Sequence, residues 1–415
     1  MVSTGEKSFH LQASGRRSWF RKPVTGGLRV DFRLTDDQQR LRDTARAFAT
    51  GEMTGIAKRL EAEDEALPRE WIKRYAEMGF LGINVAEQYG GLGLGNLEAL
   101  IVLEEFAKVS PAVAFPIFES AVGPIRAVEH FAGSELAGRV VPKVCAGELV
   151  CAVAMSEPDA GTALTDLKTR AVEDGDHFVL NGQKRWCSGG GHADAYVVYT
   201  KLSDAPGAKG IGALYVEKDM PGVSFGEREK LMGFRGIPSA DIFFDDVRVP
   251  KANLIVPAGG FRQLMEAFDL ERCGNATMCL AIAQAALDQA LAYVQERKAF
   301  GKTLVEFQAV QMKLAEMAMR VEASRLLIWR AAKNAEDGLP SVLDSSLAKC
   351  FANEMVRDVA GAGLQVMGAY GYAKEYGMEQ KLRDGWGWGI AGGAIDIQKT
   401  NIAAALVGRR FDQRR

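Results

Sequence analysis

The chain has 415 residues, 47% hydrophobic and 25% charged, which suits two or three globular domains rather than one small core. Its formal net charge of −2 offers no electrostatic case for nucleic acid or an anionic membrane surface as partner. No uninterrupted apolar run has the length of a membrane span.

Residues 1–30 stand apart. Lys7, Arg16, Arg17, Arg21, Lys22 and Arg29 face a single acid, Glu6, among several serines. The stretch lacks the apolar core of a secretory signal. It reads as a disordered extension of a cytoplasmic, bacterial protein, or as a transit peptide to the mitochondrial matrix. Ordered structure is expected from about Asp31-Phe32.

From 31 to 150 the pattern is helical. Thr35-Asp36-Asp37-Gln38 predicts a capping box, in which the threonine hydroxyl and the glutamine side chain take up free backbone N–H groups. Trp71, Tyr75 and Met78 recur at helical spacing, and Leu97, Leu100, Ile101 and Phe106 mark another apolar helix. Gly90-Gly91-Leu92-Gly93-Leu94-Gly95 lacks the spacing of a dinucleotide-binding turn and reads as a tight connection between helices.

From 151 to 258 the period shifts toward two. Asp174-Gly175 and Asn181-Gly182 predict hairpin turns on either side of residues 177–180. Residues 195–199, 213–216 and 241–244 read as further strands. Short strands with tight turns predict a small β-barrel or sandwich. From 259 to 415 the helical period returns. Leu280, Leu287, Leu291 and Val294 form one stripe, and Phe307, Val310, Leu314, Met317 and Val321 form a bundle seam. The class is therefore α+β: an N-terminal α-helical domain, a middle β domain and a C-terminal helical bundle.

Several chemistries are excluded. Cys145, Cys151, Cys187, Cys273, Cys279 and Cys350 form no C-x-x-C pair, and the four histidines form no metal motif, so no metal is expected. Gly301-Lys302-Thr303 is not a phosphate loop, because its first glycine would fall at Glu296. What remains is Asp269-Leu270-Glu271-Arg272, where Glu271 stands in an otherwise apolar helical segment. Such a carboxylate is either a base or the salt-bridge partner of its neighbour Arg272.

Four ordered motifs resemble the acyl-CoA dehydrogenase family over about 31–410. They are Met155-Ser156-Glu157-Pro158-Asp159-Ala160-Gly161-Thr162, Asn181-Gly182-Gln183-Lys184-Arg185-Trp186-Cys187-Ser188, Glu296-Arg297-Lys298-Ala299-Phe300-Gly301-Lys302 with Glu306-Phe307-Gln308, and Gln365-Val366-Met367-Gly368-Ala369-Tyr370-Gly371-Tyr372. The resemblance implies a four-helix C-terminal domain and FAD held without a glycine-rich turn. It implies that Ser156 and Thr162 bond the flavin, that Trp186 stacks near its ring and that Ser188 reaches its N5/O4 edge. It also implies that Arg297 meets the pyrophosphate of a neighbouring subunit's FAD, with Phe300, Gln308 and the turn Gln365, Val366, Met367, Gly368 and Ala369 completing that site. Read alone, Trp186 and Phe300 are equally core aromatics and Arg297 a surface charge.

In this family the base that takes a proton from Cα sits in one of two places. The commoner, a C-terminal Tyr-Glu-Gly-Thr motif, aligns with Ala391-Gly392-Gly393-Ala394 and lacks the carboxylate. The other is the helix that opens the C-terminal domain, where Glu271 falls, as in isovaleryl-CoA and long-chain enzymes. The implied substrate contacts are Thr162, Asp269, Leu270, Arg272, Glu119 and Gly392. Gly392 leaves space near Cα and Cβ, which favours branched or bulky acyl groups. Ala369 and Ala394 replace a family glycine and threonine beside the flavin. The resemblance further implies an electron-transferring flavoprotein as acceptor and a homo-oligomer, a tetramer or a dimer. The alternatives are an oxidase or flavin monooxygenase using O₂ on the same scaffold, and a non-catalytic nucleic-acid-associated homologue.

Overall fold

A computed structural model describes residues 32–335 and 338–411. The basic stretch 1–30, with its two readings, lies outside the described residues. Seven helices come first: α1 (Asp36–Phe48), α2 (Thr54–Glu63), α3 (Arg69–Glu77), α4 (Asn96–Val109), α5 (Pro111–Ala121), α6 (Ile125–Phe131) and α7 (Ser134–Cys145). The expected capping box starts α1, with the Gln38 N–H donating to Thr35 Oγ1 at 3.2 Å and the Thr35 N–H to Gln38 Oε1 at 3.0 Å. The core of this layer is aromatic: Phe48, Tyr75, Phe80 and Phe106 meet mostly edge to face, with centroids as close as 5.0 Å. Met78 follows the end of α3 and is exposed, so the expected apolar face is one residue shorter. The glycine run 90–95 is an inter-helix turn, where a Cβ on Gly91 would stand 2.1 Å from the Val85 carbonyl oxygen.

Eight strands follow: β1 (Cys151–Ala154), β2 (Arg170–Asp174), β3 (His177–Ser188), β4 (Ala195–Lys201), β5 (Ile211–Glu217), β6 (Val223–Phe225), β7 (Ser239–Pro250) and β8 (Leu254–Val256). They form one sheet in the order β6-β7-β3-β2-β4-β5-β8, with β1 parallel to β4 where β2 leaves it. Strand β4 is buried on both faces. Tyr196 and Val198 share a core with Ile242, Phe244 and Val247 of β7, which requires the sheet to curl on itself. Val197 and Tyr199 pack under α6 and α7. The Asp174-Gly175 turn forms as expected, pairing Asp174 with His177. Asn181-Gly182 does not turn: it is a bulge within β3. Cross-strand amide bonds to Asp246 hold Asn181, and Gly182 has no Cβ because one would meet Thr169 Oγ1 at 2.6 Å.

The last region holds α8 (Phe261–Glu296), a small hairpin of β9 (Lys298–Ala299) and β10 (Lys302–Thr303), then α9 (Gln308–Asn334), α10 (Val342–Met367), α11 (Ala369–Tyr372), α12 (Met378–Trp388) and α13 (Ile395–Val407). Helices α8, α9 and α10 with the α12–α13 arm make the four-helix bundle. Leu314, Met317 and Val321 are its buried seam, while Leu291 of the expected stripe is exposed. Helix α8 is long and apolar enough, by length and composition, to cross a membrane, although polar residues interrupt its apolar run. Its apolar side chains instead form the bundle core against α4, α9 and α10. All six cysteines are buried and free, and no metal-holding cluster exists among the described residues.

Candidate active site

Helix α8 places an acid at the junction of all three regions. Gly274 lets α5 approach, since a Cβ there would stand 2.3 Å from Val122 Cγ2 and 3.0 Å from the Phe118 ring. Glu119 of α5 and Glu271 of α8 thereby line one cleft of about 2500 Å³. Arg272 does not pair with Glu271, as its adjacency suggested. It forms a buried ion pair with Asp269 one turn back, and Ser345 Oγ of α10 donates to Asp269 Oδ1 at 2.7 Å. Leu270, expected at the substrate, is wholly buried in the core and does not line the cleft, because its position on α8 points it into the bundle.

The opposite wall comes from the sheet. Ser156 and Thr162 lie on the loop after β1, and Trp186 and Ser188 end β3; all four line the cleft. A buried ion pair fixes loop to strand, with Lys184 Nζ 2.7 Å from Glu157 Oε1 and 3.1 Å from the Met155 carbonyl oxygen. The Arg185 N–H donates to the Ser156 carbonyl at 2.9 Å. Trp186 adopts φ +61°, rare for a bulky residue, and leaves 53% of its surface open beneath the Arg185 guanidinium at 4.2 Å. An open indole that shares the cleft with three short hydroxyls suits a flat heteroaromatic such as an isoalloxazine, so these residues fit FAD.

The third wall is the end of α12. Trp388 lies 4.8 Å from Phe234 and 5.6 Å from Phe118, centroid to centroid. Asn275, one turn beyond Glu271 on α8, donates to the carbonyls of Trp388 at 3.1 Å and Ala391 at 3.3 Å. Gly392 lines the cleft at φ +67°, but the room expected there is partly taken: a Cβ would stand 3.2 Å from Asn275 Nδ2 and 3.5 Å from Lys349 Cε.

Burial dominates the electrostatics. It pushes the Glu271 carboxyl up to about 8, against the pull of Arg272 and Lys349. Glu119 is raised well above the usual carboxylate range, first by burial and then by the nearby Glu271 charge. Asp269 is raised by burial although Arg272 and Ser345 oppose this. Among the described residues Glu271 accepts no hydrogen bond, so its ionised form is free to take a proton from a ligand.

The remaining expected site residues are elsewhere. Arg297 follows α8, with its guanidinium 5.5 Å from the Tyr370 ring. Phe300 is 96% exposed at the tip of the β9–β10 hairpin with φ +50°. Gln308 and Gln365 are exposed, Val366 is half-buried, and Gly368 and Ala369 form the exposed turn between α10 and α11. Met367 is buried, so only its backbone can face that surface. None of these lines the cleft. Sequence reading overlooked Asn275, Phe234 and Lys349. Asn275 carried a signal, an amide spaced one helical turn from Glu271; Phe234 and Lys349 carried none.

Three family models match this chain: "Acyl-CoA dehydrogenase, N-terminal domain" over residues 35–148, the middle domain over 152–247 and the C-terminal domain over 258–407. An acryloyl-CoA reductase (NADH) of Anaerotignum propionicum is 36% identical over 384 residues, covering 92% of this chain and 97% of the relative. Butyryl-CoA dehydrogenase from Megasphaera elsdenii superposes with a TM-score of 0.87 at 30% identity, over 91% of this chain and 100% of that one. A chain from the structure of the electron transferring flavoprotein of Acidaminococcus fermentans superposes with a TM-score of 0.88 at 34% identity, over 91% of this chain and 99% of that one.

Proposed function

The chain belongs to the acyl-CoA dehydrogenase family of oxidoreductases, and on that premise we propose that it desaturates an acyl-CoA thioester between Cα and Cβ, with Glu271 as the base. The observation that carries this reading is the freedom of Glu271. Its neighbour Arg272 is tied to Asp269, and the carboxyl stands in the cleft without a hydrogen-bond partner among the described residues.

The chemistry asks for such a group. A thioester Cα–H is weakly acidic, so its base must be close, oriented and poorly solvated. Desolvation strengthens Glu271 by raising its proton affinity, while Lys349 and Arg272 keep its ionised form within reach near neutral pH. The Cα–H bond breaks and an O–H bond forms on Glu271; the hydrogen at Cβ leaves with its electron pair, and the enoyl double bond closes between the two carbons. The family is FAD-dependent, and FAD held at Trp186, Ser156, Thr162 and Ser188 supplies the two-electron acceptor. Glu119 and Trp388 both line the cleft, and we take their bulk to favour a branched or bulky acyl group over a straight long chain.

Arg297, Phe300, Gln308 and the 365–369 turn lie outside the cleft of their own chain. We take them as contacts to the FAD of a neighbouring copy in a homo-oligomer. An electron-transferring flavoprotein is the proposed acceptor, supported by the likeness to a chain from that structure. A second reading has one specific support, the 36% identity to an acryloyl-CoA reductase: the same residues in reverse return a proton to Cα of an enoyl-CoA.

The test is a panel of acyl-CoA thioesters mixed anaerobically with the yellow protein and scored by bleaching of the flavin band. Bleaching with an enoyl-CoA product supports the dehydrogenase. Hydrogen peroxide as the main reduced product in air points to an oxidase. A panel that never bleaches, while an enoyl-CoA reoxidises the reduced protein, selects the reductase direction.

A further inference from the structure

Lys349, two turns into α10, is among the largest fully buried side chains. Burying an ammonium group is costly unless it is paired and hydrogen-bonded. Among the described residues no carboxylate lies within ion-pair distance of it. Its Nζ instead donates to Asn353 Oδ1 at 2.7 Å and to the Trp388 carbonyl at 3.3 Å. Asn353 Nδ2 donates to Asn275 Oδ1 at 2.9 Å, and Asn275 Nδ2 grips the Trp388 and Ala391 carbonyls. The network thus joins α10, the turn after α12 and the α8 residue one turn beyond Glu271. Neutral donors alone could hold that turn. A buried cation is retained although well-packed apolar residues commonly do as well, and the carboxylate whose charge it feels is Glu271.

We propose that Lys349 is a positioning residue for Glu271: its ammonium group ties the 388–391 turn to α8 and sets the field in which the Glu271 carboxyl works. This rests on the reading of Glu271 as the base. The groups facing Glu271 are Arg272 on α8, itself paired with Asp269, Glu119 on α5, Tyr199 on β4 and Lys349 on α10. Those facing Lys349 are Arg272 and the thiols of Cys279 and Cys350. Arg272 is already engaged by a carboxylate, so Lys349 is the cation not offset by an acid in contact. Burial draws Lys349 down to about 8 and pushes Glu271 up to about 8, and each lies in the field of the other, so their charges change over one pH range. Removing the ammonium removes an attraction that favours the ionised carboxylate. The proton affinity of Glu271 then rises and the base is lost at higher pH than before.

The test uses Lys349→Met, which removes charge and donor, and Lys349→Gln, which removes the charge but keeps a donor for the Trp388 carbonyl. The rate of flavin bleaching is followed against pH in the FAD-loaded protein. In parallel the Glu271 carboxyl is titrated by its infrared C=O band, identified by its loss in Glu271→Gln. We expect the acid limb and the band midpoint to move up together by about one pH unit in both variants, a loss of about tenfold at neutral pH. FAD content and the acyl-CoA KM are expected to stay near those of the parent. An unmoved limb and band in a variant that keeps FAD overturns the proposal, and so does an equal loss of rate at every pH, which marks a merely structural role. Should neither variant load FAD, the band of the unaltered protein decides: a broadened, two-step titration supports the coupling and a single simple step overturns it. Near-normal turnover by Glu271→Gln sinks the base assignment itself. A silent Glu271→Gln beside unmoved Lys349 variants sinks this proposal alone.

Discussion

Glu271 and Phe300 belong to one long helix and its following hairpin, yet their surroundings are opposite. Glu271 lines a cleft walled by α5, α12 and the sheet, and its helix neighbours Asp269 and Asn275 are tied to α10 and to the turn after α12. Phe300 touches little beyond Phe307, is almost fully exposed and holds a backbone conformation rare for a bulky residue. At about 1.5 Å of rise per residue, roughly 40 Å of helix separates them. A single cofactor site in one chain cannot include both. The inner wall is drawn from one chain, whereas the exposed hairpin face is, on the proposed reading, half of a contact with a second copy.

The sharpest way to break this contrast is at the inner wall. Glu271→Gln keeps the size and loses the base. General-base contributions of about 10² to 10⁴ set the expected fall in the rate of flavin bleaching, with FAD content and acyl-CoA binding preserved. Near-normal turnover would move the base elsewhere, and Glu119, the other acid in the cleft, would be the next candidate.

The hairpin face should fail differently. If Arg297 meets a neighbour's FAD as proposed, Arg297→Ala removes a charge-assisted contact worth about 1.5 to 3 kcal/mol, and FAD should be retained roughly ten- to a hundredfold less tightly. The rate per bound FAD should not change. FAD retention on dilution, followed by visible absorbance, reads this directly. Unchanged retention would detach the hairpin from the cofactor and leave it as a contact between copies or a plain surface.

The two regions also differ in how far the sequence disclosed them. The order of helical and alternating periodicity exposed the three layers, because burial on one face imposes a period wherever it occurs. The capping box at Thr35 was readable because its partners lie within one turn. Asn181-Gly182 misled, since the same dipeptide serves a turn or a bulge and cross-strand pairing with β7 decides between them. Arg272 misled for a related reason. Its neighbour in sequence points to another side of the helix, and its partner Asp269 is one turn away. Lys349 and Phe234 could not be found locally, because Phe234 lines the cleft and Lys349 reaches the Trp388 carbonyl behind its wall only after α10, α12 and the β6–β7 connection have packed. The Trp386-Gly387-Trp388-Gly389 run became intelligible only in three dimensions: Trp388 faces inward, while Trp386 lies under the Arg357 guanidinium at 4.0 Å.

A pH series sharpens the contrast at smaller amplitude. The Glu271 carboxyl is pushed up to about 8, and as the proposed base it works in its ionised form. Ionisation increases with pH, so kcat/KM should rise through about pH 8 and fall about tenfold for each unit below it. The limb should be identical in Arg297→Ala, since nothing at the hairpin touches this carboxyl. A limb in the ordinary glutamate range would mean that water reaches Glu271 in the working protein.

The smallest expected effect is at Gly387, and it separates the wall of the cleft from its base. Alanine in a helix interior is intrinsically favoured over glycine by about 1 kcal/mol. Here a Cβ would stand 2.6 Å from Phe234 Cζ, and overpacking costs about 1 to 3 kcal/mol. Phe234 cannot withdraw freely: its N–H donates to the buried Asp384 carboxyl at 2.8 Å, its φ is +60°, and its ring rests on Trp388. The clash should therefore win, and Gly387→Ala should lower thermal stability by about 1 kcal/mol. Because the displaced rings line the cleft, KM for bulky thioesters should change while the acid limb of Glu271 stays in place. A shift of that limb instead would show that the aromatic wall, and not the Lys349 network alone, governs the ionisation of Glu271.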